Sequence, residues 1–182
     1  MVLRPQDLMV LMRLTLVGEQ ERAPSYAALA VEMGLTASEV HGAVERAVAA
    51  QLATKDPAGR PRVRLEPLRL FVQHGARYSF PATRGPLTRG MPTGHGVAPL
   101  NALMRSAVTD PLLVWPDKDG TVRGETLYPL YPTAPQAVRA SPALHELLAL
   151  FDAIRGGSAR ERALAITELD KRWRADAPVT QS

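Results

Sequence analysis

The stretch KDPAGRPRVR, residues 55–64, carries four cations, Lys55, Arg60, Arg62 and Arg64, around the turn-forming residues DPAG. A guanidinium binds phosphate oxygens through a planar fork of donors, and an ammonium binds them as a point charge. Four such groups around one tight turn suit a polyanion; a solvated edge strand whose charges resist aggregation is the plainer reading. Upstream, GLTASEVHGAVE holds Thr36, Ser38, His41 and Gly42. The hydroxyls of Thr36 and Ser38 can bond phosphates or base edges, and His41 can donate to guanine or phosphate. Glu45 in the same stretch repels phosphate unless it accepts from a cytosine amine. Gly42 inside a helix costs about 1 kcal/mol relative to alanine, which calls for a reason such as close packing.

Other chemistry finds little support. Cysteine is absent, which excludes disulfides, thiolate metal sites and cysteine nucleophiles. The histidines, His41, His74, His95 and His145, show no metal-binding spacing. The DKDG at 117–120 resembles the start of a calcium loop, but Thr121 and Tyr128 stand where that loop needs ligands, so it reads as a turn. No phosphate-loop lysine motif or dinucleotide fingerprint is present. Neither an enzyme nor a bound cofactor or metal is expected. The segment 71–90 interleaves His74, Tyr78 and Phe80 with Arg77, Arg84 and Arg89. Such rings can stack bases, although they more often anchor an arm to the chain's own core. Trp115, Tyr128 and Tyr131 read as core before they read as a ligand pocket.

Charge is unevenly distributed. Residues 1–54 carry four arginines against six acids; residues 55–105 carry nine bases against two acids, a local net of +7 within an overall +4. That contiguous basic segment points to a polyanion partner. Nineteen arginines beside three lysines also fit a GC-rich coding bias. The N-terminal apolar run is broken by Arg4, Asp7 and Arg13, so neither a secretory leader nor a membrane span is expected, and a cytoplasmic location is the simplest one.

The elements that would hold these residues follow from periodicity and punctuation. Pro5 suits a first helical turn, and Leu8, Leu11, Met12 and Leu16 predict a helix over 5–17. Ser25 is placed to cap a second helix ending at Gly34, and Thr36 a third from Ala37 to about Leu52. Beyond it, alternation in RVRLE around DPAG predicts a β-hairpin with its tip near Ala58 and Gly59. A further helix is expected over 67–75, and a loop or arm over 81–100, where Pro and Gly crowd. Residues 112–131 predict a second hairpin or a strand-like return. Helices are expected over 142–155 and 159–173, the second opened by a Ser158–Glu161 capping box.

Helix, helix, Gly turn, helix and basic hairpin is an order that residues 5–66 share with winged helix-turn-helix regulators of bacteria, and this part of the chain resembles their DNA-binding domain, including that of the MarR-like group. Leu29, Ala30, Met33, Gly34, Leu35, Val40 and Ala43 fall on the packing positions of that motif. The resemblance implies that the helix after Gly34 enters the major groove of duplex DNA while the hairpin straddles phosphates of the minor groove. Its DNA-contacting residues would be Thr36, Ser38, His41, Gly42, Lys55, Arg60, Arg62 and Arg64. Phosphate contacts from the hairpin's four cations would give a log–log salt slope of about −3.6 per subunit.

The expected fold is therefore mainly α with small β-hairpins: a winged helix-turn-helix domain over 1–75, a Pro/Gly-rich arm with a possible hairpin over 76–135, and a helical dimerisation or partner-binding region over 136–176. The expected function is a homodimeric, sequence-specific transcriptional regulator of double-stranded DNA, a repressor in the simplest case. A protein-binding module, such as an antitoxin or adaptor using the C-terminal helices, is the alternative.

Overall fold

The computed structural model describes residues 2–18, 21–104 and 111–175. α1 (Pro5–Leu14) begins with Pro5 in its first turn and Asp7 accepting from the Arg4 N–H at 2.8 Å. Leu8, Met9, Val10, Leu11 and Met12 are all at most 1% exposed, so α1 is a central helix rather than a surface one. α2 (Tyr26–Met33) is capped by the Ser25 hydroxyl and ends at Gly34, whose φ of 63° is a left-handed conformation that glycine adopts without strain. α3 (Ala37–Ala49) follows from Thr36. Leu29, Ala30, Val40 and Ala43 close a small cluster with Val10 and Leu14 of α1.

β1 (Ala53–Lys55) and β2 (Pro61–Val63) form an antiparallel hairpin. Asp56 closes its turn by accepting from the N–H groups of Ala58 and Arg60, both at 2.9 Å, and Gly59 sits at φ 76°. α4 (Leu65–Leu70) runs through a single π-helical turn into α5 (Ala76–Ser79), extending the helical stretch beyond the expected 67–75.

The largest departure lies in the expected loop over 81–100. Residues Arg84–Thr93 form β3, a ten-residue strand. It pairs antiparallel with β4 (Leu113–Pro116) and with β5 (Val122–Leu127), and those two also meet in parallel, closing a small three-stranded barrel. The stretch 112–131 therefore takes the strand-like return rather than a hairpin on itself. Glycine makes this closure sterically feasible: a Cβ on Gly90 would lie 1.9 Å from the Trp115 carbonyl oxygen, and one on Gly124 would lie 2.2 Å from that of Leu112. Pro86 sits in the register shift between Gly85 and Leu87, a place where a strand tolerates a missing N–H. The Pro/Gly content that reads as loop is what this tightly curved sheet requires.

α6 (Leu100–Leu103) precedes β4, and α7 (Ala134–Val138), α8 (Pro142–Gly156) and α9 (Ala159–Ala175) complete the order. The Ser158–Glu161 capping box forms, with the Ser158 N–H donating to Glu161 Oε2 at 2.6 Å and the Glu161 N–H to Ser158 Oγ at 3.3 Å. One buried cluster draws on α1, α3, α4, α5, α6, β4, α7, α8 and α9. Leu144, Leu147, Leu148, Phe151 and Ile154 of α8 are fully buried in it. The apolar stripe of α8, in the region expected to serve dimerisation or partner binding, is thus spent inside the chain's own core, as is that of α1. Among the described residues, no helix is long and apolar enough to cross a membrane.

Candidate nucleic-acid interface

α3 is held at a defined angle to the core by a buried ion pair. Arg46 donates from Nε and Nη2 to the two carboxylate oxygens of Asp7 at 2.7 and 2.6 Å, and the Asp7 side chain is wholly buried. A Cβ at Gly42 would come within 3.1 Å of Arg46 Nη1. Gly42 therefore leaves room for Arg46 to fold back along its own helix toward Asp7, which accounts for the glycine without assigning it to a partner. Asp7 and Arg46 lie 39 residues apart, and no local signal in the sequence connects them.

The exposed side of α3 carries the residues singled out by type. Thr36 is exposed at the N-cap, where its Oγ1 accepts from the Glu39 N–H at 3.2 Å and donates to Glu39 Oε2 at 2.8 Å. Its hydroxyl is therefore already engaged in the cap. The Thr36 N–H, donating to Glu39 Oε2 at 2.7 Å, and then the Thr36 hydroxyl hold the Glu39 carboxyl below the usual carboxylate range. Ser38 and His41 are exposed. The His41 ring packs edge-on against Tyr26, with centroids 5.5 Å apart, and its Nε2 lies 3.4 Å from Glu45 Oε1. Tyr26, at the start of α2, enters this group only through the packing of α2 on α3. Its hydroxyl oxygen is buried and has no hydrogen-bond partner.

Lys55 of β1 makes a close ion pair with Glu45. The Lys55 ammonium holds the Glu45 carboxyl below the usual carboxylate range, and Glu45 in turn raises the Lys55 pKa. The pair fastens the hairpin's first strand to the side of α3 that bears His41. It also sets the like-charge cost of Glu45 at a phosphate surface against a local cation. Arg62 faces Thr54 across the ladder and is exposed. Arg60 is half-buried beside the Asp56 turn. Arg64 is exposed, and its Nη1 donates to the Gln51 carbonyl at 3.1 Å. Of the four cations of 55–64, Lys55 is thus committed to Glu45, and the three arginines lie on or beside β2.

The aromatic and arginine segment divides. Phe80 is buried and meets Phe71 edge-on at 6.3 Å, whereas Tyr78 is exposed beneath the Arg77 guanidinium at 5.1 Å and His74 is exposed. Arg84 pairs with Glu125 at 3.0 Å and donates to the Gly156 carbonyl at 3.0 Å. Trp115 is core, its Nε1 donating to the buried Asp152 at 2.6 Å. Tyr128 instead lines a pocket of about 270 Å³ with Phe80, Leu130 and Arg155 among its walls. Comparison of the chain with family models, with curated proteins and with solved structures returns no match.

Proposed function

We propose that the chain binds double-stranded DNA through α3 and the β1–β2 hairpin, in the manner of a winged helix-turn-helix, and regulates transcription as a repressor. The observation that supports this reading is the Glu45–Lys55 ion pair. It sets the hairpin against the side of α3 that bears His41, so a helix end and a basic ribbon share one surface. A helix of this kind reads base edges from its first exposed residues, here Ser38 and His41 beyond the Thr36 cap, while flanking arginines take phosphates. With Lys55 committed to Glu45, three arginine contacts correspond to a salt slope of about −2.7 per subunit rather than about −3.6.

Fluorescence anisotropy on a duplex from upstream of the chain's own gene, against a scrambled duplex and across salt concentrations, tests the reading. Preference for the upstream duplex, with a slope of about −2.7 per subunit or steeper, supports it; equal, weak binding to both sinks it. Replacing Arg60, Arg62 and Arg64 with Ala should weaken binding to every sequence, whereas replacing Ser38 and His41 should change which sequence is preferred.

Action as a homodimer is the second part of the proposal, with two hairpins addressing half-sites about one helical turn apart. Its surface must lie outside the buried stripes of α1 and α8. Light scattering on the eluted protein distinguishes one copy from two. A protein-binding module is the competing reading, favoured by the neutralisation of Lys55, which lowers the charge this surface offers to phosphate. Co-purification of one stoichiometric protein, with no preference for the upstream duplex, would establish it.

A further inference from the structure

Arg89 of β3 and Arg123 of β5 are direct cross-strand partners, and both are exposed. Side chains opposed in this way on an antiparallel pair stand roughly 4.5–5.5 Å apart at Cβ, where like charges destabilise the sheet. The neighbouring acids do not relieve them. Glu125, two residues along β5, is held by Arg84 at 3.0 Å. Asp117 and Asp119, in the loop between β4 and β5, are held by Arg139 at 2.7 and 2.9 Å. Among the described residues, neither the Arg89 nor the Arg123 side chain has a hydrogen bond or ion pair. Lys118 is exposed in the same loop and, with Thr88, Arg89, Pro116 and Asp117, lines an open depression beside the pair. These carboxylates are bound to Arg84 or Arg139, and Asp117 also feels the charge of Lys118, which leaves the Arg89–Arg123 pair uncompensated.

The position of the group relates it to α3. Thr133, at the N-terminal end of α7, donates from Oγ1 to the Met33 carbonyl at 2.7 Å, and Gln136 packs against Gly34. Arg139, three residues beyond Gln136, grips the β4–β5 loop. This five-residue helix therefore ties the loop bearing Lys118 to the turn from which α3 starts. The turn from which α3 starts and the loop bearing Lys118 thus meet opposite ends of one short helix.

We propose that Arg89, Arg123 and Lys118 form a phosphate clamp that engages the backbone of the bound duplex beyond the segment covered by α3 and the hairpin. This inference rests on the duplex-binding reading above. Two opposed guanidiniums offer paired forks of donors to phosphate oxygens, and a bound phosphodiester would neutralise the repulsion that the free protein carries.

The test compares the wild type with R89Q/R123Q, R89K/R123K and R60A/R62A/R64A by anisotropy on a short duplex of about one helical turn and a longer one of about two turns. On the longer duplex, R89Q/R123Q should lower the magnitude of the salt slope by about 1.8, the share of two phosphate contacts, and the lysine variant should keep the slope. On the short duplex the glutamine variant should match the wild type. In the absence of DNA, Arg89→Gln alone should raise the melting temperature by about 1–3 °C through relief of the like-charge pair. A wild-type slope in R89Q/R123Q, with duplex binding intact, overturns the clamp and leaves the helix–hairpin reading standing. Loss of slope only in R60A/R62A/R64A does the same. Absence of duplex binding by the wild type removes both. A fall in melting temperature for Arg89→Gln, or loss of a co-purifying acidic protein in place of DNA affinity, assigns the arginines to the fold or to a protein partner and overturns the clamp.

Discussion

The two small sheets of this chain solve opposite problems. The β1–β2 hairpin is local, three residues against three, closed by a turn whose capping acid, Asp56, lies inside it. Its charges face water or pair on the surface. The β3–β4–β5 barrel joins strands far apart in sequence and is seated on a buried carboxylate: Asp152 accepts from Thr93 Oγ1 and Trp115 Nε1 at 2.6 Å each and from Arg155 Nε at 2.8 Å. Arg155 in turn donates to the Tyr128 carbonyl at 2.6 Å. One sheet is held by its own turn, whereas the other is held by α8. The difference teaches where each is vulnerable. Exposed pairs exchange readily with solvent and are worth little, whereas a buried, hydrogen-bonded charge is costly to leave without its partner.

The largest expected effect is at Asp152. Replacing it with Ala leaves the Arg155 guanidinium buried and uncompensated, and should cost about 3–5 kcal/mol, seen as a fall in melting temperature of about 6–20 °C. A fall of only a degree or two would show that the barrel does not depend on this network. Next is Gly90→Ala, which forces a methyl into the Trp115 carbonyl and should cost about 1–3 kcal/mol or more in denaturant titrations. The same substitution at Gly59, where a Cβ would meet nothing within 4 Å, costs only its left-handed backbone strain, about 1 kcal/mol.

A smaller effect is expected at the α3 cap. Thr36→Ala removes the hydroxyl that accepts from the Glu39 N–H and should cost about 1 kcal/mol, read as a shift of about 2–4 °C. The smallest is Glu45→Gln. It should change stability by less than about 1 kcal/mol, as for exposed ion pairs. By freeing Lys55 it should also steepen the salt slope for duplex DNA by about 0.9. Asp152 and Glu45 each accept from a cation, so the pair of variants measures directly how burial changes the worth of that contact.

Much of the first 66 residues was legible from local signals. Ser25 and Thr36 cap the helices that follow them, Gly34 makes the left-handed turn, and Gly59 marks the hairpin tip. Each depends on residues within a few positions of one another, and the packing positions Leu29, Met33 and Val40 follow helical period into the core. The boundaries drifted by a few residues: α1 ends at Leu14 rather than 17, and α3 at Ala49 rather than Leu52. Pro86, Gly90 and Pro92, by contrast, were misread as loop. Proline and glycine weaken strands in general, and only the facing backbones of Leu112 and Trp115 turn Gly90 and Gly124 into requirements.

The candidate surface divides along the same line. The residue types able to meet phosphate were visible in 36–42 and 55–64, because hydroxyls, imidazole and guanidinium carry their chemistry with them. Pairing was not visible. Glu45 meets Lys55, Asp7 meets Arg46, and Arg89 faces Arg123 only after helices and strands have packed. The sequence by itself determined caps, turns and the apolar faces of the helices, since those depend on neighbours along the chain. Tertiary structure alone decided which charges are neutralised, which are buried and which remain uncompensated, because electrostatic worth depends on distance and solvent exposure, and both are set by contacts across many tens of residues.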